Sequence, residues 1–173
     1  MLKRKGSIEL SFGMIFSIII IIAIVGVATY AIVYFLDLGK ATELSLFHQK
    51  FQETIDDVWG SSITDKVVSF TLPAGIELVC FGNLSSNSWD PNYENEYEHF
   101  KQYASSFEKQ NTNRFIYPTN EAGDFSYKKI TKIDLSELGQ PHTDFECFEV
   151  EGRKIRVRLE KDTFDASVKI KRE

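Results

Sequence analysis

From Leu10 to Leu36 the chain carries no charged residue, and this run limits what the rest can become. Its 27 residues, at ~1.5 Å rise each, make a helix of roughly 40 Å, longer than the ~30 Å hydrocarbon core of a bilayer. Ile18 to Ile22 lie near its centre, no Pro interrupts it, and Tyr30 and Tyr34 sit near its far end. Amphipathic aromatic rings favour the membrane–water interface. Lys3, Arg4 and Lys5 precede the run, whereas Asp37 and Lys40 follow it. The positive-inside bias therefore predicts a cytoplasmic N-terminus and an extracytoplasmic segment 37–173 in a single-pass cell-membrane protein.

Two competing readings fit less well. A cleaved secretory signal has an apolar region of only ~7–15 residues and a small-residue exit site. This run is much longer and ends in Tyr34-Phe35-Leu36. A core helix that is apolar all round needs more chain to enclose it than the remaining residues offer.

Setting aside Lys3, Arg4, Lys5 and Glu9 leaves 17 basic and 24 acidic residues in 37–173, a net charge of −7. An acidic domain is repelled by a phosphate backbone, which argues against nucleic acid as a partner. With 14 Phe and 7 Tyr the chain has enough large side chains for a real core beyond the membrane. The two cysteines, Cys80 and Cys147, form no Cys-x-x-Cys pair, so a zinc site built from cysteines alone is excluded. In an oxidising compartment they are expected to form one disulfide; the alternative is two buried free thiols.

Beyond the membrane the helical pattern continues. Leu44, Phe47, Phe51, Ile55 and Val58 recur on one helix face, with Glu43, His48, Lys50, Gln52, Glu53 and Asp56 on the others, and Gly60-Ser61-Ser62 ends the run. Strands follow. Lys66 to Leu72 and Ile76 to Phe81 flank Pro73-Ala74-Gly75 and read as a hairpin. Asp90-Pro91 starts a helix carrying Tyr97, Phe100, Tyr103, Ala104 and Phe107. Phe115 to Tyr117 reads as a short strand and Phe125 to Leu135 as a longer, weaker one. Phe145 to Val150 and Arg153 to Leu159, joined by Glu151-Gly152, read as a second hairpin, and Val168 to Ile170 as a last strand.

The predicted fold is α+β: a long N-terminal transmembrane helix continuing into an amphipathic half packed on an antiparallel β-sheet head. The divisions are a basic leader 1–6, a transmembrane helix 7–36, an amphipathic extension 37–60 and a β-rich head 61–173. An independent β-sandwich on a flexible stalk is the alternative, but no linker-like segment separates the parts.

No catalytic pattern stands out, so the chain reads as non-enzymatic, with no cofactor or metal. His48, His99 and His142 lack metalloprotease spacing, and there is neither a Gly-x-Ser-x-Gly turn nor a Gly-rich phosphate loop. His142 lies near Cys147, but the expected disulfide competes for that sulfur. Asp90, Asn92, Glu94, Glu96 and Glu98 resemble a calcium loop superficially, yet Pro91 and Asn95 break its pattern, and an acidic first helical turn accounts for them. Asn83 opens an Asn-x-Ser glycosylation acceptor in a Ser- and Asn-rich loop. Arg153, Lys154, Arg156, Arg158, Lys161, Lys169, Lys171 and Arg172 concentrate positive charge near the C-terminus. They form either a solvated strand face or a surface that meets residues 90–98 of a neighbouring copy.

Lys3-Arg4-Lys5-Gly6, then Ser7-Ile8-Glu9-Leu10-Ser11-Phe12, then a long apolar helix, resembles the class III signal of type IV pilins and archaeal pilin-like proteins. The resemblance covers about 35 residues. It implies that a prepilin-type peptidase cuts between Gly6 and Ser7 after recognising Lys3, Arg4 and Lys5, leaving the helix in the bilayer. It also implies that Glu9 pairs with the N-terminal amine of a neighbouring subunit during assembly, so that the partners are lipid, peptidase and related or identical subunits. Glu9 would be third after the cut, where many pilins carry their acidic residue fifth, and the bacterial Phe-Thr-Leu-Ile-Glu sequence is missing. A plain signal-anchored surface domain that assembles into nothing is the alternative, because basic residues before a span set topology in any such protein.

Overall fold

A computed structural model describes residues 12–85, 88–104, 111–136, 138 and 143–173. By internal contacts the chain divides into two compact units, Met1–Gly39 and Lys40–Glu173. Helix α1 spans Phe12–Gly60. The described part of the first unit belongs to this helix, and its side chains from Phe12 to Leu38 are almost all exposed.

The second unit begins with the rest of α1, where Leu44, Phe47, Phe51, Ile55 and Val58 are all buried, the stripe expected from their spacing. Eight strands follow in chain order: β1 (Thr64–Thr71), β2 (Leu78–Gly82), β3 (Arg114–Tyr117), β4 (Tyr127–Lys128), β5 (Ile133–Asp134), β6 (Phe145–Glu149), β7 (Lys154–Lys161) and β8 (Val168–Lys171). Helix α2 (Glu94–Ala104) precedes β3, and a four-residue helix α3 (Thr119–Ala122) follows it. As the sequence predicts, Asp90 caps this helical segment: its side chain accepts from the Asn92 amide, with Pro91 opening a single 3-10 turn before α2. Phe107 lies outside the described residues.

The strands form two sheets, not one. Sheet I has the order β1-β7-β8-β5 and sheet II the order β4-β3-β2-β6. All pairs are antiparallel except β5 with β8. Both expected hairpins are overturned by this arrangement. β1 pairs with β7, and β2 with β3 and β6, so the segments flanking Pro73-Ala74-Gly75 enter different sheets. The reason is burial. β2 is buried at all five positions, whereas β1 exposes Asp65, Lys66, Val67, Ser69 and Thr71, and paired neighbours would have had to share faces. Glu151 and Lys154 do close a tight turn by exchanging backbone hydrogen bonds, with Gly152 and Arg153 at positive φ. Beyond that single bridge β6 and β7 part, for the same reason. The expected strand 125–135 is also replaced by two short strands, β4 and β5, in different sheets. Between them Asn113 exchanges hydrogen bonds with the backbone of Ile130 (2.7 and 2.8 Å), and Lys132 adopts φ 64°.

Parity assigns each face. Val79, Phe81, Ile116 and Phe148 of sheet II join the α1 stripe and the inner face of sheet I (Phe70, Ile155, Val157, Leu159, Val168, Ile170) in one core. Leu78, Cys80, Phe115, Phe145 and Cys147 point the other way, against Tyr97 and Phe100 of α2. Sheet II is therefore covered on both faces and sheet I on one. Phe51 is the junction: its ring lies 4.9 Å from Phe70 of sheet I, 5.1 Å from Phe81 of sheet II and 5.8 Å from Phe47. Gly82, at φ 152°, ends β2 so close to β6 that a Cβ would lie 2.4 Å from the Asp144 carbonyl oxygen.

Cys80 and Cys147 form the disulfide, directly opposite each other on β2 and β6. Val150 donates to the Glu77 carbonyl, which fixes the ladder so that Cys80 and Cys147 fall in a non-hydrogen-bonded pair, where side chains approach closest. The bond closes a sequence separation of 67 residues.

Two stability predictions come from this architecture. Phe51→Ala removes a fully buried ring shared by three elements and is expected to cost about 3–5 kcal/mol in denaturant unfolding of the head. Cys147→Ser is expected to lower stability by ~2–5 kcal/mol, and native wild-type protein should resist alkylation until it is reduced and unfolded.

Candidate functional site

The residues that carry the pilin resemblance, Lys3, Arg4, Lys5, Gly6, Ser7 and Glu9, lie outside the described residues, as does His142. The apolar run that follows them is described from Phe12 onward. It is long and apolar enough to cross a membrane, with none of its most apolar window buried in the protein, and fits a single-pass anchor. Two of its hydroxyls are satisfied within the helix: Ser17 donates to the Gly13 carbonyl (2.8 Å) and Thr29 to the Val25 carbonyl (2.9 Å). Tyr30 and Tyr34, exposed near the far end of the apolar run, carry hydroxyls of the amphipathic kind that favours the membrane–water interface.

In the head, Asn83 is exposed directly after β2, and its side-chain oxygen accepts from the Ser85 amide (2.9 Å) in a tight local turn. Its amide nitrogen would be the atom modified by glycosylation. Cys147 is consumed by the disulfide, so it offers no thiolate. His99 contacts the Thr119 hydroxyl (3.2 Å) amid the rings of Phe100, Tyr103 and Tyr117. Among the described residues no group of three or more His, Cys, Asp or Glu could hold a metal ion.

Much of the C-terminal positive charge meets carboxylates of the same chain. Arg153 pairs with Glu43 (2.7 Å), Arg158 with Asp65 (2.5 Å) and Glu160 (3.0 Å), and Lys171 with Glu160 (2.5 Å). Lys161 is buried and donates to the Ser61 carbonyl. Arg172 reaches Asp90 (3.4 Å), in the acidic segment 90–98 of its own chain, and also Glu146 (2.6 Å) and the Cys147 carbonyl (3.0 Å). Burial raises the Glu146 pKa, and Arg172 acts against that shift. Arg172, Tyr93, Glu149, Lys154, Arg156 and Glu173 line an open cleft of about 390 Å³ in which both signs of charge are interspersed.

Sequence reasoning missed Arg114. It sits on β3 with no exposed surface, on the face turned toward α1, with its guanidinium 5.3 Å from the Phe47 ring. It donates to the Phe125 carbonyl (3.1 Å), while its Nε and one terminal nitrogen have no hydrogen-bond partner. Burial pulls its pKa down to about 9. His48, on α1, has a buried Nδ1 without a partner. Its pKa falls to about 4, first because of burial and then because Arg114 and Lys128 repel a second positive charge. This is a costly polar interior that ties α1 to sheet II, and nothing in its spacing announces it: Asn113-Arg114 reads as the polar start of a strand.

No protein-family model, curated protein or solved structure matches this chain. What the fold defines is an α+β head on an apolar N-terminal helix.

The His48 environment sets a pH dependence. Its folded pKa lies below the unfolded value of 6.5, so as pH falls from 6.5 toward about 4 the unfolded chain takes up a proton that the folded chain refuses. Stability is complete above the upper value and declines across that window. His48→Gln is expected to flatten the decline in melting temperature there, while a decline at lower pH remains from Asp65 and Asp165, whose carboxyls are held below the ordinary range by hydrogen bonding. An identical profile in wild type and variant would remove His48 from the account.

Proposed function

We propose that this protein is a non-enzymatic, membrane-anchored pilin-like subunit whose leader is removed between Gly6 and Ser7 and whose head lies outside the cell. The observation that supports this best is one helix with two kinds of surface. From Phe12 to Leu36 apolar side chains are exposed all round, and from Leu44 onward a single apolar stripe is buried by the head. A soluble protein has no use for the first surface, and a simple tether has no need of the second. The basic residues before the span supply the orientation. Glu9, at the edge of an apolar span, is costly unless it meets a cation, and cleavage after Gly6 creates one at Ser7.

In an assembled state the exposed apolar helices would pack on one another, with Gly13, Ser17, Ala23, Gly26 and Ala28 permitting close backbone approach. Gly26 has no neighbouring side chain or backbone within contact of a Cβ position, so that approach is open from within the chain.

The deciding experiment follows the N-terminus of the membrane-bound form. N-terminal sequencing should begin at Ser7, and Gly6→Val should leave the protein full length. Glu9→Gln should insert and be processed normally yet fail to enter any filament or complex. An impermeant amine reagent on intact cells should label the exposed Lys66 and Lys154 and spare the leader. A wild type that is never cut, with both variants behaving like it, leaves a plain signal-anchored surface domain.

A further inference from the structure

A second cleft, of about 490 Å³, opens between the end of α2 and the segment 119–126 that joins β3 to β4. Its size falls within the range of small-molecule sites, about 300–1,000 Å³. On the α2 side it is lined by Tyr103, a ring left 51% exposed. On the other side the segment 119–126 is fixed from within. Ala122 is buried in the core, and Glu121 pairs with Lys40 of α1. Ser126, also buried, closes the turn: its hydroxyl lies within hydrogen-bonding distance of the Gly123 and Thr119 carbonyls (2.7 and 3.1 Å), and its amide donates to Gly123. The outward residues of the same segment, Asn120 and Asp124, are exposed and line the cleft. Among the described residues neither side chain makes a hydrogen bond or ion pair within the chain. His99 ties the two sides together, 3.2 Å from the Thr119 hydroxyl and 5.1 Å from the Tyr103 ring. The cleft is therefore set before any ligand arrives, which spares the ligand the cost of ordering it.

The lining discriminates among ligand classes. Among the described residues it holds no basic side chain and one carboxylate, Asp124, so a phosphate or carboxylate ligand meets like charge. It holds no aliphatic side chain either, and a wholly apolar ligand would strip water from Asn120 and Asp124 without replacing the hydrogen bonds. A quaternary ammonium suits a ring and a carboxylate but neither donates to nor accepts from an amide. A sugar ring meets all three groups. Its C–H face suits the electron-rich face of an aromatic ring, and its hydroxyls donate to a carboxylate and both donate to and accept from an amide. We propose that this cleft binds a neutral pyranose, with a C–H face of the sugar on the Tyr103 ring and adjacent hydroxyls on Asn120 and Asp124. The site lies wholly within the head, so neither leader removal nor assembly enters into it.

The test uses the full chain in a detergent whose head group carries no sugar. Neutral methyl pyranosides of glucose, galactose, mannose and N-acetylglucosamine, with a linear trisaccharide of each, are titrated and followed by calorimetry and saturation-transfer NMR. Methyl glucuronide and choline serve as the anionic and cationic contrasts. At least one neutral sugar is expected to bind saturably. Asp124→Ala should weaken it roughly tenfold or more, through loss of a charged acceptor, and Tyr103→Ala about tenfold. Both positions are exposed, so the thermal transition of the head should not move. Phe164→Ala, which removes a 99% exposed ring elsewhere on the head, should leave the affinity unchanged. Equal affinity for glycoside and trisaccharide identifies a single ring as the occupant, and tighter trisaccharide binding a glycan chain; either supports the proposal. It is overturned if no neutral sugar binds, if binding survives both Tyr103→Ala and Asp124→Ala, or if only the glucuronide or choline binds.

Discussion

The packing of Phe51 against Phe70 and Phe81 is the contact on which the head depends. Two sheets that share no strand have to be held in one core, and the α1 stripe supplies side chains to the inner face of each. Offset and tilted rings 4.9 and 5.1 Å apart carry that join, within the range where aromatic pairs add to simple burial. The helix from Lys40 onward is thus a structural layer of the head and not a stalk beneath it.

Sheet II shows what such a central position demands. With both faces covered, β2 has no room for a polar side chain, and its cysteine finds its partner directly across the ladder. Where polar groups do enter the interior they come at a cost. Arg114 keeps only part of its hydrogen bonding and His48 is held neutral, so the contact between α1 and sheet II is pH-sensitive in a way an all-apolar contact would not be. Sheet I, covered on one face, solves its surface differently. Its basic residues meet nearby carboxylates, so the positive face read from the sequence is largely balanced within the chain.

The apolar span, the stripe from Leu44 to Val58, the capped start at Asp90-Pro91 and the alternation of Ile155, Val157 and Leu159 were legible because each is a local pattern whose period reports its own structure. Strand pairing was not. A turn at Glu151 to Lys154 and a loop at Pro73 to Gly75 look like hairpin connections, yet both lead from one sheet to the other, because burial on two faces is a property of the neighbours and not of the turn. Arg114 and the partners of Arg172 were hidden for the same reason. The local sequence by itself determined the helices, the long apolar N-terminal run and which strand faces are apolar; which sheet each strand joins, which charges are buried and which strands lie at the edges were decided only by tertiary packing, since these depend on residues far apart in the chain competing for the same surfaces.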